Sequence, residues 1–312
     1  MDQAEGKEGA GGEREIRTLE DKVERLFWQA AAAERLLDGV LRRMGVDQAA
    51  ITHVHQAQSM DLVHGIGAAN LVHEWLTGES LWSQYEDSMC GRYAITAAPS
   101  DLRALFGTSN PLVNFDPNYN AAPTQALPVV RLHPKEGTRH LDLLQWGLVP
   151  SWADPANRGP QPTNARAETL LEKPMFKQPF QRGQRCLIPM NAFYEWKKLG
   201  NTKQPYAFAL RGREPFAVAG LWEWKKLAGN EVLRSFTVIT GKPNELVQDV
   251  HDRMPMILPE SAWSTWLGEI PNAMPDSVLK TLPAELMQAW KVDVKVGSVK
   301  NNSPDLLEPL PE

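Results

Sequence analysis

Cys90 stands in Met89-Cys90-Gly91-Arg92-Tyr93, a run that reads like the start of a protein although it begins at the eighty-ninth residue. A cysteine directly behind an initiator methionine can become the first residue of a mature chain. It then carries a thiol and a free α-amine on one carbon framework. Such a 1,2-aminothiol closes a five-membered ring on an aldehyde. A cysteine inside a chain cannot, because its nitrogen is tied up in an amide. With ordinary pKa values near ~8 for the amine and ~8.5 for the thiol, both groups are partly unprotonated at neutral pH. The chemistry thus requires a cut or a start immediately before Cys90.

Three more polar residues stand in contexts worth weighing. Asn164 opens Asn164-Ala165-Arg166-Ala167-Glu168-Thr169 after a Pro/Gly-rich loop, Glu195 lies between aromatics in Phe193-Tyr194-Glu195-Trp196, and His251 opens His251-Asp252-Arg253-Met254-Pro255. Each has a plain structural reading: a turn asparagine, the outward residue of an alternating strand, a hydrogen-bonded structural histidine. Together with Cys90 they become a site only if the fold assembles them, which periodicity does not establish.

The elements that must position them fall into two dissimilar segments. Residues 1–88 carry 16 Asp+Glu against 8 Lys+Arg, net −8, and none of the 24 prolines; the remainder carries 22 against 25, net +3. The overall charge of −5 therefore hides a basic second segment. Residues 1–14 are Gly/Glu-rich, a composition that favours disorder. From Ile16 to Met44 apolar positions recur at helical spacing, and weaker helical patterns follow. This extension reads as a helical partner-binding module, a coiled-coil arm, or an upstream stretch that is not translated. His53, His55, His64 and His73 lack acidic or thiol neighbours at a ligand spacing, so no metal is expected there.

After Met89 the texture is of short strands and short helices. Strands are expected at 91–96, 127–132, 141–148, 206–210, 216–221, 233–239, 254–258 and 292–296. Helices are expected from an N-cap at Ser100 through Phe106, and over 173–181, 260–267 and 277–290. Helices are too few for a doubly wound sheet. The expected fold is α+β, mainly antiparallel and barrel-like with peripheral helices, preceded by the helical extension. The domain boundaries are placed at 1–88 and 89–312. Two cysteines, Cys90 and Cys186, fit a reducing cytoplasm rather than a disulfide scaffold. No apolar run approaches the ~20 residues of a membrane span.

From Met89 to about residue 300 the chain resembles the SRAP family, the SOS-response-associated peptidases that process abasic sites. Besides the blocks quoted above, the likeness rests on Tyr119-Asn120-Ala121-Ala122-Pro123-Thr124, on Trp146-Gly147-Leu148-Val149-Pro150-Ser151-Trp152 and on Arg185-Cys186-Leu187-Ile188-Pro189. Residues 1–88 have no counterpart in it.

The resemblance implies that Cys90 is the mature N-terminus and nucleophile. It would form a thiazolidine with the ring-opened aldehyde of an abasic site in single-stranded DNA, with Asn164, Glu195 and His251 around the linkage. It further implies that Arg92, Arg166 and Arg253 hold phosphates while Trp146 and Pro123 stack on or wedge the flanking bases. Glu195, if desolvated, would act as acid and then base. The amine gives a Schiff base, the thiolate closes the ring, His251 donates or shuttles a proton, and Asn164 orients the amine. No cofactor is required, the partner is single-stranded DNA rather than a membrane, and a monomer is expected. For most tryptophans of this segment core packing is the expectation, and Cys186 reads as an inert core thiol. Two other functions stay open: a self-processing cysteine peptidase that cuts before Cys90, and a non-catalytic DNA-binding module blocked by the N-terminal helices.

Overall fold

The computed structural model describes residues 90–153, 161–227, 229 and 231–311. The expectations for residues 1–88 lie outside the described residues. In chain order the strands are β1 (Tyr93–Ile95), β2 (Asn118–Ala121), β3 (Ala126–Leu132), β4 (Arg139–Trp146), β5 (Asn164–Arg166), β6 (Arg185–Met190) and β7 (Ala192–Leu199). They continue as β8 (Thr202–Leu210), β9 (Phe216–Lys226), β10 (Val232–Gly241), β11 (Met254–Pro255), β12 (Ile257–Leu258) and β13 (Met287–Lys291). The helices are α1 (Pro99–Phe106), α2 (Pro174–Gln181) and α3 (Glu260–Leu267).

Two sheets result. One has the order β13-β8-β7-β1-β2. The other runs β11-β10-β4-β3-β6-β9-β12, with β5 beside β10, and the β9–β10 pairing closes β10-β4-β3-β6-β9 into a ring. Pairing is antiparallel except where β4 and β5 run parallel to β10. The expected α+β, barrel-like, mainly antiparallel fold is what the chain adopts. Closure removes the unpaired edges that a flat sheet would expose.

The barrel closes tightly at Gly220, opposite Cys186 on β6 and Val238 on β10. A Cβ there would lie 2.6 Å from Ile188 Cδ1 and 2.9 Å from the Thr237 carbonyl, so only glycine lets three strands approach this closely. The interior is filled by Val129, Leu144, Leu187, Val218, Phe236 and their neighbours, all essentially inaccessible to solvent. Cys186 lies in this core as expected, and burial pushes its thiol well up. No helix among the described residues is long and apolar enough to cross a membrane.

Three local expectations fail for identifiable reasons. Residues 277–290 form two short 3-10 turns, Pro275–Val278 and Ala284–Leu286, followed by β13. Pro283 interrupts any helix there, and β13 gains a full ladder against β8. The strand expected at 292–296 is a 3-10 turn, Val294–Gly297, capped by Asp293. Helix α1 starts at Pro99 behind an Ala98 cap, not at Ser100, because proline suits the first helical position.

Candidate active site

Strand register brings Glu195 to Cys90. Tyr93 pairs with Phe193 and Ala94 with Ala192, and the Tyr194 N–H donates to the Arg92 carbonyl at 3.0 Å. Extending this antiparallel ladder one step sets Glu195 alongside Cys90-Gly91. The second sheet supplies the other partners. Asn164 opens β5, locked to β10 opposite Val238, and its Nδ2 donates to the Cys90 carbonyl at 3.1 Å. His251 sits just before β11 and is fixed by its N–H to the Val247 carbonyl at 2.9 Å. The Cys90 sulfur, a Glu195 carboxylate oxygen and a His251 ring nitrogen all lie within 4.8 Å of one another. All four residues singled out around the linkage therefore meet at one place, where the two sheets face each other.

The site is dry. Cys90 is 3% exposed and Glu195 2%. Desolvation pushes the Glu195 carboxyl up to about 8, opposed by its hydrogen bond with Cys90 and reinforced by the Asp252 charge. Glu195 is therefore mostly protonated at neutral pH and can donate a proton. Burial also raises the Cys90 thiol well above its usual range, helped by Glu195 and opposed by Arg253. The two groups thus hold their protons while the site is closed. A metal ion needs deprotonated thiol and carboxyl ligands, so this pair as it stands is better suited to moving protons than to holding a cation.

His251 Nδ1 lies 3.1 Å from the Arg253 N–H. The same nitrogen lies 3.2 Å from the Arg253 carbonyl, so either ring tautomer finds a partner there, and Nε2 faces Glu195 Oε2 across 3.8 Å. This gap exceeds a hydrogen bond, as often happens before substrate tightens a site. Glu195 Oε1 and Asn164 Oδ1 are buried with no hydrogen-bond partner among the described residues. Buried acceptors of this kind are costly unless something arrives to satisfy them. Tyr93, Trp146, Phe193 and Val238 are among the residues that close in around Cys90 and leave no room for a water-sized cavity there.

The residues expected to bind DNA fall into two groups. Arg166 is exposed at the end of β5 and Pro123 is half-exposed. Pro123 precedes Thr124, whose φ of 73° is left-handed, a strain of the kind that collects at functional sites. Trp146, Arg92 and Arg253 are placed otherwise. Trp146 is 1% exposed, packed against Tyr93 and Phe236, with its indole N–H on the Thr163 carbonyl at 2.9 Å. It packs beside Cys90 and offers no free face for a base. Arg92 donates to Asn120 Oδ1 and the Val296 and Gly297 carbonyls, so it ties the C-terminal loop to β1 and β2. Arg253 forms a two-pronged ion pair with Glu168 and donates to the Thr240 carbonyl at 2.8 Å. Its own carbonyl lies 3.8 Å from the Cys90 sulfur. Internal acceptors thus take the donors that phosphates were expected to use.

Sequence reasoning missed Trp152 and Trp224, which are 61% and 49% exposed while Trp146 and Trp222 are buried. Trp152 sits on a loop held from beneath. Glu223 accepts the Ser151 N–H at 3.1 Å, and Lys225 donates to the Ala153 and Ser151 carbonyls. Arg182, which is exposed, reaches Ser151 Oγ at 3.3 Å. The available signal was the Pro150-Ser151 turn before Trp152, since an aromatic on a loop has no strand neighbours to bury it. Glu168, the anchor of Arg253, was also missed.

A family model described as SOS response associated peptidase (SRAP) matches residues 89–299. The chain belongs to the SRAP family. Among its relatives, the abasic site processing protein YoqW of Bacillus subtilis is 41% identical over 227 residues, covering 70% of this chain and 99% of that one. The abasic site processing protein YedK of Escherichia coli is 30% identical over 230 residues, covering 71% and 100%. HMCES of Xenopus tropicalis, also called an abasic site processing protein, is 30% identical over 265 residues, covering 70% and 78%. A solved structure from Bacteroides thetaiotaomicron covers 71% of this chain and all of its own length with a TM-score of 0.63 at 24% identity, a likeness of fold. The SRAP match begins one residue before Cys90, so the four clustered residues all lie inside it.

Proposed function

We propose that this SRAP chain processes abasic sites in DNA by covalent capture, with Cys90 as nucleophile once residues 1–89 are absent. The observation that carries the reading is the buried convergence of the Cys90 sulfur, a protonated Glu195 and His251 within 4.8 Å, with Asn164 gripping the Cys90 backbone. The names of its relatives supply the substrate class.

The chemistry runs in balanced steps. Glu195 gives a proton to the ring oxygen of the deoxyribose, and His251 takes the proton of the C1′ hydroxyl, as the sugar opens to its aldehyde. The Cys90 amine adds to the aldehyde carbon and loses water as a Schiff base, with His251 passing the proton to the departing hydroxyl. Glu195, now a carboxylate, takes the thiol proton, and the sulfur closes on the same carbon to give the thiazolidine. The preference for single strands rests on exposed cations and aromatics: Arg166 and Arg182 for phosphates, Trp152 and Pro123 against bases. Stacking of this sort is tolerant of sequence and worth ~1–3 kcal/mol per base.

Incubating single-stranded DNA bearing one abasic site with a chain that starts at Cys90, then running a denaturing gel, tests the proposal. A shifted band is expected, absent for Cys90→Ala. A normal shift from Cys90→Ala would overturn it, and salt-sensitive binding without a denaturant-resistant band would favour a non-catalytic DNA-binding module.

A second reading concerns how the amine is freed. Cys90 with a protonated Glu195 beside it suits a shift of the preceding acyl group from nitrogen to sulfur, Glu195 protonating the leaving amine and taking the thiol proton in return, and water then hydrolysing the thioester to free the preceding acid and the Cys90 thiol. On this reading the chain is its own peptidase. Full-length protein kept free of other proteases should shorten to begin at Cys90, and Glu195→Gln should not.

A further inference from the structure

We propose that Ser235, Glu223 and Lys225 are positioning residues for DNA binding. From the outer wall of the barrel they hold the loop that carries Trp152, so that its exposed ring is preset to stack on a base. The inference rests on the reading of Trp152 as a base-stacking side chain and adds the residues through which that ring is held. All three lie outside the cluster of Cys90, Glu195 and His251.

The three residues share one face. Ser235 on β10 pairs directly with Glu223 on β9, and Lys225 follows Glu223 by two positions, on the same side of the strand. That side is the outer one, since the adjacent pair Phe236 and Trp222 belongs to the core. A glutamate and a lysine on the outside of a barrel are ordinarily solvated. Here Ser235 and Glu223 are each 1% exposed and Lys225 is 6% exposed, because the loop lies across them.

Each side chain grips the loop by its backbone. The Val149 N–H donates to Ser235 Oγ at 2.8 Å, and the Ser151 N–H donates to Glu223 Oε2 at 3.1 Å. Lys225 Nζ donates to the Ser151 carbonyl at 3.3 Å and to the Ala153 carbonyl. The residues on either side of Trp152 are therefore both anchored, while the tryptophan itself is 61% exposed. Arg182 closes over the same point, 3.3 Å from Ser151 Oγ and 3.6 Å from Glu223 Oε1, with more than half of its side chain in solvent.

Burial gives the loop one favoured seat. It lifts the Glu223 carboxyl above the ordinary carboxylate range, opposed first by the hydrogen bond with Ser151 and then by Arg182. A loop that left this seat without exposing Glu223 and Lys225 to water would strand a buried acceptor and a buried cation. A ring already held in place loses less freedom when a base arrives, and preorganisation of this kind raises affinity. On an untethered loop the same tryptophan would give up part of its stacking energy to ordering the chain.

The test is fluorescence anisotropy of the full chain with a labelled, undamaged single-stranded oligonucleotide, which offers no aldehyde to capture. Glu223→Ala and Lys225→Met are each expected to weaken binding ~fivefold or more, the low end of what stacking on one base is worth. Glu223→Gln keeps an oxygen for the Ser151 N–H and should bind close to wild type. In a Trp152→Ala background the first two changes should have little further effect, a coupling that a general loss of stability does not produce. Thermal melts show which variants are folded, and Lys225→Met carries the test if Glu223→Ala is not. Losses that add to that of Trp152→Ala, or unchanged affinity in both variants while Trp152→Ala binds weakly, would overturn the inference and leave the strip as structural support alone. A silent Trp152→Ala would instead strike the stacking role of Trp152, and this inference with it.

Discussion

His251 Nε2 and Glu195 Oε2 face each other across 3.8 Å, one from the turn before β11 on the barrel and the other from β7 of the five-stranded sheet. The pair spans the seam between the sheets, and Cys90 lies in that seam. A proton moved between them would cross from one sheet to the other beside Cys90.

Glu195 gives the sharpest pH signature. Burial raises its carboxyl from the ordinary carboxylate range to about 8. A folded-state pKa above the unfolded one means that stability is greatest below the unfolded value and is lost as pH rises through the folded value. Wild-type stability should therefore decline from about pH 5 to pH 9, by on the order of 4 kcal/mol in the limit. Glu195→Gln should flatten that decline while slowing capture at least ~100-fold, the typical worth of a general acid. Chemical denaturation at several pH values reads the first and single-turnover capture the second. An equally steep decline in the Gln variant would contradict the assignment.

The two tryptophans of one sequence block should part company. Trp152→Ala, at an exposed ring, should leave the melting temperature nearly unchanged and weaken single-stranded DNA binding by ~1–3 kcal/mol. Trp146→Ala removes a buried ring and should cost ~3–5 kcal/mol of stability. Fluorescence anisotropy with a labelled oligonucleotide and a thermal melt separate them. Loss of affinity from Trp146→Phe with Trp152→Ala silent would reverse the two roles.

Arg253 is expected to act through position rather than through phosphate. It joins Glu168 to Thr240 and aims its carbonyl at the Cys90 sulfur. Glu168 is half exposed, so solvent screening keeps the cost of Glu168→Gln to ~1 kcal/mol or less. Arg253→Lys keeps the charge but loses the two-pronged geometry. It should slow capture several-fold with little change in the salt dependence of DNA binding. Arg166→Ala should instead reduce the slope of log affinity against log salt by about one phosphate contact. A salt-slope change for Arg253→Lys and none for Arg166→Ala would overturn this division.

Short β-branched runs bounded by turns marked most strands in the sequence, because alternation is local. Cys90, Asn164, Glu195 and His251 were found through motif blocks, and register shows why they meet: a ladder through Tyr93 and Phe193 sets Cys90 beside Glu195. The failures were tertiary. Nothing local says that Arg92 will meet the Val296 carbonyl from 204 residues away, or that Trp146 faces the core while Trp152 does not. Residues 287–291 look helical in pattern yet pair with β8, since the edge of the five-stranded sheet offers hydrogen bonds that their own sequence does not reveal.

The central claim is a ring that uses both the amine and the sulfur of Cys90. The direct test is the intact mass of the adduct formed with an abasic oligonucleotide, followed by borohydride and then a thiol-alkylating reagent under denaturing conditions. For a chain beginning at Cys90, the expected mass is that of protein plus oligonucleotide less one water, unchanged by borohydride, with Cys90 resistant to alkylation. The chain that retains Ser88-Met89 should give no adduct. An adduct that gains hydrogen from borohydride and still alkylates at Cys90, or an equal yield from the chain with Met89 attached, would contradict the account.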